Sequence, residues 1–149
     1  MASPYRPREK ALTGRRLRVV RASPATVLLG TQPLGPSRIA TVARALLDAA
    51  SRPHLAGGAS RVAEALAASR STTGLLDLAR EVGAGAAYRR LGSIATTLSL
   101  PVAQDLEPLP WRMLIELDRK ARGENGWVDK TWGVAWPYPA SQLHAVVAA

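Results

Sequence analysis

Three blocks decide the fold: Arg38-Ile39-Ala40-Thr41-Val42-Ala43-Arg44-Ala45-Leu46-Leu47-Asp48, then His54-Leu55-Ala56-Gly57-Gly58, then Arg89-Arg90-Leu91-Gly92. Between residues 41 and 98 apolar positions recur close to every 3.6 residues, and Gly and Pro fall between the recurrent runs. That pattern predicts four consecutive helices. Thr41 is placed to cap the first, because its hydroxyl can accept an otherwise unpaired backbone N–H. Val42, Ala45, Leu46 and Ala49 then share one face. Pro53 and Gly57-Gly58 interrupt the chain. Ser60 is the expected cap of the second helix, with Glu64 in its first turn and Val62, Ala65, Leu66 and Ser69 inward.

The third helix is expected from about Thr73 to Val82, stopped by Gly83, with Leu75, Leu76, Leu78, Ala79 and Val82 as its apolar face. The fourth runs from about Gly85 to Leu98, with Ala87, Leu91, Ile94, Ala95 and Leu98 inward. Gly92 lies inside it. A glycine there costs about 1 kcal/mol relative to Ala, so its presence implies close packing of the backbone. Leu46, Leu66, Leu76 and Leu91 are the expected core leucines.

Outward from these helices the signals shorten. Leu17 and Val19 alternate with Arg16, Arg18 and Val20, as in a half-exposed strand over residues 15–20. Ser23-Pro24 reads as a turn, Thr26–Leu29 as a second strand closed by Gly30, and Pro33, Gly35 and Pro36 as a loop. Arg38-Ile39-Ala40 reads as a short strand. Residues 99–110, with Pro101, Pro108 and Pro110, form a surface linker. Trp111–Asp118 fits either a strand or a helix, and residues 140–148 suit a short terminal helix.

A chain of 149 residues is one domain by length, large enough to bury a core. Hydrophobic residues make up 47% and Phe is absent, so the core should be aliphatic with the four Trp as anchors. Cys is absent, which removes disulfides and thiolate metal sites and suits a reducing cytosol. The start lacks the apolar run of a signal peptide, and no run approaches the roughly 18–20 apolar residues of a membrane span. A cytoplasmic location is expected.

The net charge of +9 points to a polyanion or an acidic protein surface as partner. Residues 1–21 hold Arg6, Arg8, Lys10, Arg15, Arg16, Arg18 and Arg21 against Glu9 alone. Residues 1–11 read as a disordered basic tail. The segment is either a solvated tail or a phosphate-contacting one. Arg61, Arg70, Arg80, Arg89 and Arg90 recur along the helices, where a solvated face is the common explanation. Together with the N-terminal cations they can instead make one positive surface. The candidate interaction residues are Arg15, Arg16, Arg18, Arg61, Arg80, Arg89 and Arg90.

Catalytic patterns are lacking. Arg44 and Asp48, four apart on one helix, read as a structural pair. Leu55-Ala56-Gly57-Gly58 lacks the Gly-Lys-Ser/Thr ending of a phosphate-cradling loop, and Gly83-Ala84-Gly85 lacks the third Gly of a dinucleotide fingerprint. His54 and His144 have no partner at ligand spacing, and Ser141 belongs to no nucleophile elbow. No enzyme, metal or cofactor is expected. Trp127, Trp132 and Trp136 read as core more readily than as base-stacking residues.

In order and spacing the three opening blocks resemble the C-terminal domain of AbiEi-type antitoxins, from type IV toxin–antitoxin systems. The resemblance spans roughly residues 12–136, and the domain is assigned to 12–149. It implies a strand at Ile115-Glu116-Leu117-Asp118, a loop at Arg122–Gly126 and a final strand at Thr131–Trp136, ended by Pro137 and Pro139. It also implies an α+β fold: a small antiparallel sheet from both chain ends, packed on a bundle of about four helices. The family's N-terminal winged helix-turn-helix has no counterpart in residues 1–22, and Trp136-Pro137 stands where the family usually has a polar residue. The implied function is non-enzymatic counteraction of a nucleotidyltransferase toxin, with a contribution to operon autoregulation in full-length relatives. The alternatives are a stand-alone basic nucleic-acid-binding module, with DNA as a non-specific partner, or an inactive truncated remnant.

Overall fold

The computed structural model describes residues 10–12, 15–17 and 23–148. It is a mixed α+β structure in which helices make the core and short strands edge it. Strands β1 (Lys10–Leu12) and β2 (Arg15–Leu17) form an antiparallel ribbon, Lys10 opposite Leu17. β1 thus begins within the segment read as a tail. β2 is the start of the strand expected over 15–20; residues 18–20 lie outside the described residues.

The segment read as a second strand is helical. Pro24–Val27 form α1, with Thr26 and Val27 N–H bonding back to the Ser23 carbonyl at 3.1 and 3.0 Å. Proline at the first helical position, with its preset φ and no N–H to satisfy, outweighs the strand preference of Thr26 and Val27. The expected loop at 33–36 is a hairpin. β3 (Thr31–Leu34) pairs antiparallel with β4 (Ser37–Ala40) around Gly35-Pro36. Gly35 has φ +55° and Pro36 fixes φ near −65°, the combination used by a two-residue type II′ turn.

The four helices follow as the periodicity predicts: α2 (Val42–Ser51), α3 (Ala59–Ala68), α4 (Leu75–Glu81) and α5 (Gly85–Thr97). Thr41 does cap α2. Its hydroxyl accepts from Arg44 N–H at 3.3 Å and donates to the Gly30 carbonyl at 2.9 Å, tying helix to hairpin. A 3-10 turn, Pro53–Leu55, connects α2 to α3. Gly58, not Ser60, precedes α3, and Ser60 lies inside the helix. α4 ends as its sequence predicts. Gly83 takes φ +69°, and the N–H groups of Ala84 and Gly83 reach back to Ala79 and Arg80 carbonyls at 2.7 and 3.3 Å.

The buried faces are offset from those expected. On α2, Val42 and Ala45 are exposed, while Leu46, Leu47, Ala50 and the stem of Arg44 are buried. Arg44 turns inward because Thr26 and Leu29 offer it carbonyls. On α3 the stripe is Ala59, Val62, Ala63 and Leu66, and Ala65 is exposed. On α4, Leu75 rather than Leu76 is fully buried; Leu76 packs half-exposed against the core. Leu46, Leu66 and Leu91 are core, as expected.

The C-terminal third supplies β5 (Ile115–Glu116), β6 (Trp127–Asp129), β7 (Val134–Trp136) and α6 (Ser141–Val147). β7 is central, parallel to β5 and antiparallel to β6. The expected sheet from both chain ends does not form. The three-stranded sheet is mixed and comes wholly from residues 115–136, while β1–β2 and β3–β4 are separate ribbons. β7 is paired on both of its hydrogen-bonding edges, by β5 and β6. Residues 131–133 turn rather than extend, and Gly133 takes φ +64° there.

α5 is the hub. Gly92 faces Trp132, and a Cβ at Gly92 would overlap ring carbons Cη2, Cζ3 and Cζ2 of that indole. The close approach implied by this glycine is therefore to an aromatic ring rather than to backbone. Trp132 is buried, edge-on to Tyr88, and donates Nε1–H to Thr96 Oγ1 at 3.1 Å. Trp136 Nε1–H donates to Ser93 Oγ at 2.9 Å, and Ser93 donates to Asp129 Oδ2 at 2.7 Å. Asp129 Oδ1 accepts from the N–H groups of Thr131 and Trp132. This satisfied polar chain locks the sheet onto α5.

Candidate functional site

Three arginines turn inward and bond to main-chain carbonyls. Arg44 donates to Thr26 and Leu29 carbonyls and, through Nε, to Asp48 at 3.0 Å. Arg89 donates to the carbonyls of Trp132 (2.7 Å), Gly133 (2.6 Å) and Met113 (3.0 Å). Its guanidinium carbon also lies 5.5 Å from the Trp111 ring centroid, within cation–π range. Arg90, 7% exposed, donates Nε–H to Glu116 O at 2.7 Å and Nη1–H to Ala50 O at 3.0 Å. Ala50 and Ser51 are the last residues of α2, where unpaired carbonyls give the helix a negative end. Arg90 thus joins the end of α2 to β5 from the middle of α5.

Arg90 also forms the floor of a cleft of about 530 Å³. Ser51, Arg52, Pro53, His54 and Leu55 make one wall, Ala86 another, and Arg119 stands at the rim. Pro53 starts the 3-10 turn, which swings Arg52 and His54 outward. Arg119 follows β5 and is 80% exposed, its Nε 4.0 Å from Glu116. Burial first, and then the neighbouring Arg119 charge, lower the Arg90 pKa from its ordinary value. A guanidinium remains charged nonetheless. Among the described residues the lining carries three arginines and a histidine and no carboxylate. That lining is positive in character. Among the described residues no group of His, Asp and Glu could hold a metal ion.

The arginines expected from sequence to share one surface lie on different elements. Arg61 is exposed and paired with Glu64 at 2.6 Å, and Arg80 is exposed 3.8 Å from Asp77. Arg89 and Arg90 are tied into the framework. Arg15 and Arg16 lie on β2, and Arg18 lies outside the described residues. Of the candidates among the described residues, Arg90 lines the cleft and Arg61, Arg80 and Arg89 do not. Sequence reasoning missed Arg52 and Arg119. Neither belongs to a motif, and only the fold brings residues 52, 90 and 119 together. Gly57 and Gly58, with φ near +95°, form a turn in which Gly58 N–H returns to Pro53 O at 2.7 Å. Arg44 and Asp48 pair within α2, and Arg44 braces the segment before the helix rather than the turn after it. Trp132 and Trp136 are core, while Trp127 is 37% exposed and stacked on Trp136.

Among the described residues no helix is long and apolar enough to cross a membrane. No family model matches the chain, and no curated protein or solved structure matches it significantly.

Proposed function

We propose that this chain is an antitoxin-like protein that counteracts a nucleotidyltransferase toxin without catalysing a reaction itself. One observation supports the reading: several of the residues that carry the AbiEi resemblance sit at joints of a single framework. Thr41 and Arg44 bind the hairpin and α1 to α2. Gly57 and Gly58 make the turn into α3. Arg90 ties the end of α2 to β5, and Gly92 receives Trp132. Residues with this distribution specify a scaffold, and a scaffold acts through its surface.

The test is co-expression with a nucleotidyltransferase toxin of a type IV system, taken from beside this gene where one is encoded there, with growth as readout. Protection is expected. It should persist in Asp48→Ala and His144→Ala, which have no assigned chemistry, and weaken in Arg61→Glu/Arg80→Glu, because like charges across an interface are repulsive. Circular dichroism establishes that each variant is folded. Absence of protection by the folded wild-type chain would refute the reading.

A second reading, a basic nucleic-acid-binding module, is favoured by the cation-lined cleft. It predicts DNA binding that ignores sequence and falls steeply with salt, since phosphate contacts release counterions. Sequence-selective binding that persists at high salt would count against it.

A further inference from the structure

We propose that the cleft over Arg90 is a binding site for a phosphate monoester, the terminal phosphate of a free nucleotide or of a nucleic-acid end. Arg90 carries the inference. Its Nε and Nη1 are held by the carbonyls of Glu116 and Ala50, and Nη2 has no hydrogen-bond partner among the described residues. Thr72 Oγ1 is the only fully buried side-chain polar atom left unpartnered among those residues. Nη2 is therefore not sealed in the core, and Arg90 lines the cleft. A guanidinium fixed by its own framework and presenting a spare N–H pair is a preorganised anion donor, because binding costs it no side-chain freedom.

Three further features act in the same direction. α5 is a 13-residue helix whose first turn has neither a side-chain cap nor an acidic residue, and Ala86 of that turn forms a cleft wall. The positive end of its dipole and its unpaired N–H groups favour negative charge there. Arg52 and Arg119 stand at the rim as exposed cations able to close on a ligand. Arg119 lies at the limit of ion-pair distance from Glu116, so that partner is easily exchanged for a phosphate oxygen. The volume, about 530 Å³, is within the range of small-ligand pockets, and Pro53 and Leu55 offer apolar wall to a sugar or base.

A dianionic monoester suits this geometry better than a backbone diester. It places two charges in one cleft that three arginines line, whereas a diester strand needs a groove of cations to follow. Asp118, which is buried, and Glu116 partly offset the charge of Arg90.

The test uses calorimetric titration of the whole chain with inorganic phosphate, adenosine monophosphate and adenosine, and with short oligonucleotides identical except for a 5′-phosphate or a 5′-hydroxyl. Saturable one-to-one binding of the monophosphate is expected, about tenfold or more tighter than adenosine. Arg52→Ala/Arg119→Ala, at exposed positions, should weaken it about tenfold with an unchanged melting curve. Arg61→Ala/Arg80→Ala should not change it. Tighter binding of the phosphorylated oligonucleotide than of the mononucleotide identifies a nucleic-acid end as the source. The reverse order identifies a free nucleotide. No saturable binding of any phosphorylated probe, equal binding of phosphorylated and hydroxyl ends, or binding untouched by the Arg52/Arg119 variant would overturn the proposal.

Discussion

Replacing Gly92 by alanine should destabilise this protein, although helix propensity alone predicts the opposite. In an open helix the change gains about 1 kcal/mol. Here the new methyl would occupy space held by the six-membered ring of Trp132, so that ring must move. Overpacking of this kind costs about 1–3 kcal/mol. Displacing the ring also endangers its Nε1–H bond to Thr96, worth about 1 kcal/mol, and its edge contact with Tyr88, worth about 0.5–1.5 kcal/mol. Setting these against the propensity gain leaves a net loss of about 2–4 kcal/mol, or roughly 10 °C in melting temperature for a domain of this size. Urea unfolding followed by tryptophan fluorescence measures the loss, and near-ultraviolet circular dichroism reports the moved indole. Gly85→Ala is the control. Nothing lies within 4 Å of a Cβ there, so that variant should be neutral or slightly more stable. If Gly92→Ala matched or exceeded the wild type, the tight contact between α5 and Trp132 would be refuted.

Further outcomes separate structural charge and polarity from surface charge. Arg90→Lys should lose about 2–4 kcal/mol of stability in chemical denaturation, because an ammonium cannot serve the Glu116 and Ala50 carbonyls together; Arg80→Lys, at an exposed pair, should change it by less than about 0.5 kcal/mol. Thr72→Val removes a buried hydroxyl with no partner and should raise the urea midpoint, by up to about 1 kcal/mol in stability, whereas a clear loss would reveal a partner for that oxygen. Burial above all raises the pKa of Tyr88 and Tyr138 over the ordinary 10.0, with the Asp118 charge adding to the effect at Tyr138. The folded state thus keeps protons that the unfolded chain releases, so stability is unaffected below pH 10 and falls as pH rises through the folded values. Denaturation midpoints between pH 8 and 11 check this, and Tyr138→Phe should flatten the decline.

The helical half of the fold was legible because it is built from local periodicity. Four segments, the Thr41 cap and the Gly83 stop follow from spacing and from end residues alone. Which face turns inward was less legible. On α2 the outcome depends on Arg44 finding carbonyls at Thr26 and Leu29, more than a dozen residues away, and no local pattern encodes that. The hairpin was obscured by Pro33, which argues against a strand everywhere except at an edge. The sheet was misjudged because strands of two to four residues hold too few alternations to reveal a partner. Arg90 stood out through its place beside Leu91-Gly92. Its role as a cleft floor did not, since Arg52 and Arg119 approach it only through tertiary packing.

The β3–β4 hairpin exposes Leu34 and Ile39, which in most settings would invite a second molecule to add a strand. Its outer edge is closed to that. With a two-residue turn, Leu34 and Ser37 form the hydrogen-bonded pair, so Thr31 and Pro33 direct their main-chain groups outward. Thr31 N–H is taken by the Leu28 carbonyl at 3.3 Å and Thr31 O by Arg38 Nη2 at 3.0 Å. Pro33 has no N–H to offer. The β3 edge therefore lacks the repeating donors and acceptors that edge-to-edge growth needs. Its apolar side chains stay accessible to a partner that recognises side chains, and the chain is guarded against ordered aggregation through this edge.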